Sequence, residues 1–207
     1  MGVERYERLR AARPELFANQ PGGIEILTEP DAVSAAGGVL YEDRYVVLLR
    51  DPVRFPDGTT GTYIRSISPT PEQGCVVLPL LDGQVVLIEH FRHATRSWQW
   101  EVPRGFATPG MEPGANAAKE LREEIGAVAL EIVPLGELHP DTGVTADRVS
   151  LFAARIEALG PLDTAEGIRS SVTVPFAEAE AMVADGRITD AFTIAVLMRA
   201  RLAGLTA

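Results

Sequence analysis

Gly105-Phe-Ala-Thr-Pro-Gly-Met-Glu-Pro-Gly-Ala-Asn-Ala-Ala-Lys119-Glu120-Leu121-Arg122-Glu123-Glu124-Ile125-Gly126-Ala127 decides how this chain is read. It is a glycine- and proline-punctuated loop that feeds a helix carrying Glu120, Glu123 and Glu124 within a single stretch. At roughly 100° per residue, Ala117, Ala118, Leu121 and Ile125 fall within about 100° of one another and form a core-facing arc, while the three glutamates occupy a separate arc. Glu120 and Glu124 are i, i+4 neighbours, and their like charges disfavour a helix by roughly 0.2–0.5 kcal/mol unless a cation lies between them. Carboxylates without a His or Cys cluster are hard ligands, which selects Mg²⁺ or Mn²⁺ over zinc or copper. The bland alternative is a solvated face on which Lys119 and Arg122 neutralise the glutamates. The spacing of the flanking residues sets that alternative aside.

On either side of this stretch the pattern is α+β. Residues 1–19 place Tyr6, Leu9, Leu16 and Phe17 at partly helical spacing broken by Pro14, which predicts a short helix and an irregular tail. From residue 24 to 68 the period changes to two, with strands expected over 39–50 and 61–67 around the turn Phe55-Pro56-Asp57-Gly58. Residues 76–80 and 85–88 flank Leu81-Asp82-Gly83-Gln84 as a hairpin, and 98–102 is a further strand. A loop over 103–114 leads to a helix over 115–125 closed by Gly126. Strands are expected over 128–138, 149–154 and 170–174, and helices over 176–184 and 189–202 on either side of Asp185-Gly186. The division expected is a helix plus small antiparallel sheet over residues 1–70 and a second domain of mixed sheets and helices over 71–207.

The 19 basic and 29 acidic residues give a net charge of −10, which argues against a nucleic-acid partner because phosphate binding needs clustered Lys and Arg. An anionic substrate would then need help from a metal. The single cysteine, Cys75, can form neither an internal disulfide nor a thiolate zinc site and fits a reducing cytoplasm. No signal peptide or membrane span is expected, because no run approaches about 18 apolar residues. His90, His93 and His139 lack metal-site spacing, and Cys75 reads as a small buried hydrophobe.

Set against the pattern G-x5-E-x7-R-E-U-x-E-E-x-G-U, with U apolar, the stretch resembles the Nudix box of the Nudix hydrolases. Gly105, Glu120, Leu121, Glu123, Glu124, Gly126 and Ala127 match in register. Two positions depart: Met111 stands at the first glutamate, with Glu112 one place late, and Lys119 stands at the arginine. In the family those positions brace the loop against the helix, and lysine lacks arginine's bidentate fork. The resemblance covers most of residues 38–204 and is similar to the ADP-ribose pyrophosphatase branch. Tyr41-Glu-Asp-Arg-Tyr45, Arg54-Phe-Pro-Asp-Gly58 and Gly61-Thr-Tyr63 resemble that branch's N-terminal sheet, exchanged between subunits, which implies a homodimer. Leu87-Ile-Glu-His-Phe-Arg92 and Trp98-Gln-Trp-Glu-Val-Pro-Arg-Gly105 resemble the strand pair entering the box, and Asp185-Gly-Arg-Ile-Thr-Asp-Ala-Phe-Thr193 resembles the C-terminal helix pair.

The resemblance implies a Nudix fold of mixed sheets sandwiched by helices and a Mg²⁺ (or Mn²⁺) site at Glu120, Glu123, Glu124 and the backbone carbonyl of Arg104. It further implies substrate contacts at Arg92 and Glu101, catalytic roles for Glu120 and Glu124, and a general base in the loop before the last strand, where Glu166 stands beside Asp163. The implied reaction splits the pyrophosphate of a nucleoside diphosphate derivative, with ADP-ribose giving AMP and ribose 5-phosphate as the first expectation. His139-Pro-Asp-Thr-Gly-Val-Thr-Ala-Asp-Arg148 carries Thr142 where ADP-ribose enzymes usually carry proline before the glycine. That leaves GDP-sugars, other nucleotide sugars, NAD, FAD or a non-catalytic Nudix-fold nucleotide binder as alternatives.

Overall fold

The computed structural model describes residues 2–205, so Met1, Thr206 and Ala207, at the ends of the expected domains, lie outside it. Two units emerge from the pattern of contacts: one holds the residues up to Pro71 together with Asp141–Asp147, the other Glu72–Pro140 and the residues from Arg148 onward.

The first unit opens with α1 (Gly2–Ala12) and a 3-10 turn (Pro14–Phe17), followed by β1 (Glu25–Ile26), α2 (Pro30–Ala36), β2 (Gly38–Glu42), β3 (Val47–Arg54) and β4 (Thr60–Ile67). The antiparallel strand β3 is central, pairing with β1, β2 and β4. Two expectations need correction here. Residues 39–50 form two strands, because the Asp43 carboxylate accepts the N–H groups of Tyr45 and Val46 at 2.7 and 2.9 Å and turns the chain. Residues 30–36 are helical where a period of two was read, started by Pro30 in the first turn and ended by Gly37 at φ +105°. Tyr6, Phe17, Val33, Leu49 and Ile67 form this unit's core. Within it the Tyr6 hydroxyl donates to Asp51 at 2.5 Å, and Arg65 Nε donates to the same carboxylate at 2.6 Å. Segment 141–147 lies alongside β4, where Ser66 N–H donates to the Val144 carbonyl and Ala146 N–H to the Ser66 carbonyl.

The second unit runs β5 (Gly74–Leu81), β6 (Gln84–Arg92), β7 (Ser97–Glu101), β8 (Arg104–Gly105), α3 (Pro113–Ile125), β9 (Ala129–Leu138), β10 (Val149–Ile156), β11 (Ile168–Val174), α4 (Phe176–Ala184) and α5 (Ala191–Leu202). Its sheet has the order β11-β6-β5-β10-β9, with β10 parallel to β5. Both faces are covered, which is why β5 and β6 read as continuous apolar runs. Cys75, Val77, Val86 and Ile88 pack with Ala117, Leu121 and Ile125 of α3, while Val76, Leu78, Val85 and Leu87 pack with Phe176, Met182 and Val196 of α4 and α5. This is the helix-sheet-helix layering expected of the α+β fold. Among the described residues no helix is long and apolar enough to cross a membrane.

One departure from a plain hairpin builds the site. The strands β5 and β6 pair only at Leu80–Val85 and Leu81–Gln84 before they diverge. The gap is filled by β7, paired to β6, and by β8, paired to β5. Residues 101–105 are thereby wedged into the middle of the sheet.

Candidate active site

Helix α3 begins two residues earlier than expected, because Pro113 needs no N–H partner in a first turn and its φ suits the helix. Gly126 ends it in the left-handed conformation at φ +60°. Besides the apolar arc, the helix buries Glu120 and Glu124, which are 7% and 2% exposed. Buried carboxylates are disfavoured unless paired. Lys119 Nζ lies 3.2 Å from Glu120 and 2.5 Å from Glu123. Burial raises the Glu120 carboxyl despite Lys119, with the charges of Glu123 and Glu166 adding to the rise. Burial also pushes Glu124 up to about 8, with the charge of Glu120 adding to it. One oxygen of Glu124, Oε2, is buried with no hydrogen-bond partner.

The wedge faces this pair. A Cβ on Gly105 would sit 2.2 Å from the Glu120 carboxyl carbon, so glycine lets the backbone pass there without displacing that side chain. Glu101, at the end of β7, is wholly buried and pairs with Arg92, whose Nε donates at 2.9 Å. His90 Nδ1 lies 3.3 Å and Arg104 3.6 Å from the same carboxylate. Burial alone would raise Glu101, but the His90 ring and the Arg92 and Arg104 guanidiniums hold it below the usual carboxylate range.

The loop before β11 is tied to the end of α3, with Gly160 N–H donating to Ile125 O at 2.9 Å and Asp163 N–H to Glu124 O at 3.0 Å. The Asp163 side chain accepts the N–H groups of Ala165 and Glu166 at 2.9 and 3.2 Å, which commits it to shaping the turn. Glu166 is exposed at that turn, and its charge raises both Glu120 and Glu124.

The structure therefore gathers Glu120, Glu124, Glu101, Arg92, Arg104 and Glu166 about one end of the sheet. Glu123 is exposed beside them, 2.5 Å from Lys119, and its charge also raises Glu120. Sequence reasoning missed Asn116, buried in the first turns of α3. Its amide donates to the Phe106 carbonyl at 2.9 Å and its oxygen accepts from Thr108 at 2.9 Å, tying loop to helix where Met111 cannot. A poor helix former inside the helix was the available signal. Cys75 is buried and takes a 3.2 Å contact from Asn116, and burial with the Glu120 charge pushes its thiol up to about 11, which removes thiolate chemistry.

Among the described residues, no three His, Cys, Asp or Glu side chains converge in this conformation to hold a metal. The residues nevertheless fit a hard divalent cation: two buried carboxylates repel each other, one buried oxygen lacks a partner, and at Gly105 backbone lies directly against the Glu120 carboxyl. Glu120, Glu123, Glu124 and the Arg104 carbonyl would be the groups to hold it.

A wedged strand, a glycine and a buried glutamate pair on the following helix define a class, and comparison with known proteins agrees with it. The model of the NUDIX domain matches residues 70–192. The chain belongs to the NUDIX domain family. Within that family the likeness runs to the ADP-ribose pyrophosphatase-like branch, and the enzyme class is that of a Nudix pyrophosphohydrolase. The chain is 28% identical over 176 residues to the ADP-ribose pyrophosphatase of Mycobacterium tuberculosis, covering 82% of this chain and 83% of that protein. It is 31% identical over 156 residues to the GDP-mannose pyrophosphatase of Yersinia pestis strain Pestoides F, covering 69% and 78%. A crystal structure of ADP compounds hydrolase superposes with a TM-score of 0.72 at 21% identity, over 89% of this chain and 96% of that one, which shows the shared fold.

Proposed function

We propose that the protein hydrolyses the pyrophosphate bond of a nucleoside diphosphate linked to another moiety, with Mg²⁺ or Mn²⁺, and that ADP-ribose is cut to AMP and ribose 5-phosphate. The observation that carries this reading is the Glu124 carboxylate, buried beside Glu120 with one oxygen unpartnered. A divalent ion bound there supplies charge neutralisation for the pyrophosphate and acidifies water. Glu120, Glu123, Glu124 and the Arg104 carbonyl would hold it. Arg92 offers phosphate oxygens a guanidinium whose orientation Glu101 sets. Glu166 accepts the proton of the attacking water.

A relative named ADP-ribose pyrophosphatase, similar over most of both chains, supports the substrate. The relative named GDP-mannose pyrophosphatase, together with Thr142, supports a second reading in which a GDP-sugar is cut by the same chemistry. A homodimer with an exchanged N-terminal sheet belongs to the proposal, supported by the exposed Leu40, Tyr41 and Ile64 on that sheet. A reducing cytoplasm is the compartment that the single, buried Cys75 fits.

The test is an assay of the pure protein with millimolar Mg²⁺ against ADP-ribose, GDP-mannose, NAD and FAD. Metal-dependent cleavage, lost in Glu124→Gln, is expected, with ADP-ribose the best substrate. A GDP-sugar ranking first would favour the second reading. Binding without cleavage of any of them would overturn both in favour of a nucleotide binder.

A further inference from the structure

The segment that enters the proposed metal site has to present the Arg104 carbonyl and bring Gly105 against Glu120 at the same time. On one side β5 holds it: Val77 N–H donates to Pro103 O at 3.0 Å, and Val76 and Cys75 pair with Arg104 and Gly105. On the other side the ladder with β6 ends at Glu101, which is paired with Ile88.

The first turn of α5 takes the place of that ladder. Val102 N–H donates to Thr193 Oγ1 at 3.0 Å, a buried bond between residues 91 apart in sequence. Thr193 is wholly buried, and its hydroxyl donates in turn to Asp190 Oδ2 at 2.8 Å. The same oxygen accepts the Thr193 N–H at 2.8 Å and so caps the helix. The other oxygen of Asp190 lies 3.3 Å from the Arg104 guanidinium, which also stacks over the Phe192 ring at 4.5 Å. One helical turn thus grips the backbone before Pro103 and the side chain after it. A cap alone would need neither contact, since the Thr193 N–H already satisfies it. Asp190 and Glu101 also flank the Arg104 guanidinium with two carboxylates, so its charge is compensated there and does not oppose a cation at Glu120 and Glu124.

We propose that Thr193 and Asp190 are positioning residues for the site: they fix the 102–105 backbone so that the Arg104 carbonyl and the Glu120–Glu124 pair face one point. This rests on the metal-site reading above.

The test measures Mn²⁺ binding to the full-length protein by the loss of the free-ion electron paramagnetic resonance signal, beside a thermal melt. Thr193→Val keeps the side-chain shape but leaves Val102 N–H without an acceptor. It is expected to weaken Mn²⁺ binding about tenfold, the scale seen when groups that orient metal ligands are removed. Thr193→Ser, which restores the acceptor, should bind like the native protein. Val196→Ala, in the core of the same helix, should lower the melting temperature and leave Mn²⁺ affinity alone. If Thr193→Val does not fold, Asp190→Asn keeps a capping oxygen while removing the charge beside Arg104, and it must weaken binding in the same direction. A folded Thr193→Val with native Mn²⁺ affinity, or a Val196→Ala that loses affinity along with stability, overturns the proposal. Glu124→Gln separates the two levels. If it loses Mn²⁺ while Thr193→Val does not, only the positioning role falls, and if it keeps native affinity, the site reading falls and the positioning role with it.

Discussion

Gly105 and Glu120 meet with no side chain between them: a Cβ on the glycine would lie 2.2 Å from the glutamate's carboxyl carbon and 2.3 Å from its Oε2. What that Cβ would strike is the far end of a flexible side chain. Gly105→Ala is therefore expected to keep the fold, with a loss of about 1–3 kcal/mol from crowding. Pushing Glu120 aside should lower turnover at least about tenfold, a larger effect than the lost stability explains. A melt beside a Mg²⁺-dependent assay checks this, and a variant that turns over normally would show that Glu120 need not occupy its present place.

Glu124 in the metal-free protein keeps its proton up to about pH 8, against an ordinary value of 4.5. Over that interval the folded state binds a proton that the unfolded chain has released, so stability falls as pH rises through it and levels off above. Glu120, also raised, adds to the same trend. In excess chelator the melting temperature should decline from about pH 5 to about pH 8, and Glu124→Gln should flatten that decline. A melting temperature that climbs over this range would contradict the burial of both groups.

The base assignment separates from the metal assignment by stability. Glu166 is exposed, so Glu166→Gln should leave the melt within about 0.5 kcal/mol while lowering kcat by about 10²–10⁴. Glu124→Gln should abolish turnover and, by removing a buried charge, stabilise the metal-free protein above about pH 8. Near-native turnover in Glu166→Gln would remove it as the base.

Tyr6 donates to the buried Asp51 from a wholly buried position, and the carboxylate pushes the phenol further upward on top of the effect of burial. Tyr6→Phe leaves Asp51 relying on Arg65 and should destabilise the N-terminal unit by about 1–3 kcal/mol. Deleting residues 2–17 removes Tyr6 and Phe17 from the core they share with Val33 and Leu49, and that unit should become protease-sensitive. Limited proteolysis reads this directly, and an unchanged digestion pattern would mean that α1 is dispensable.

Helix α3 was legible because everything that forms it is local: the Ala117–Leu121–Ile125 stripe, the glycine stop and the glutamate spacing lie within a few turns. The layering was legible for a related reason, since strands buried on both faces announce themselves as apolar runs. What stayed hidden depends on partners far along the chain. Nothing around residue 102 signals that its N–H will be taken by Thr193, or that β5 and β6 part after two pairs. The hairpin at Asp43 and the helix at Pro30 were lost to a period of two that ran through turn residues able to interrupt it. Glu123 matched the pattern as well as its neighbours, and its exposure, against the burial of Glu120 and Glu124, is what the three-dimensional structure adds.

Segment 141–147 belongs to the N-terminal unit although it is encoded between β9 and β10 of the other. The chain consequently passes between the units three times, and no single cut yields either one whole. A fragment ending at Pro71 would lack the peptide that lies along β4, and one starting at Glu72 would carry that peptide with its hydrogen-bonding groups unmatched. The two units are thus obliged to be inherited, swapped between genes or engineered as one block, and segment 141–147 cannot change its length without altering the edge of a second sheet.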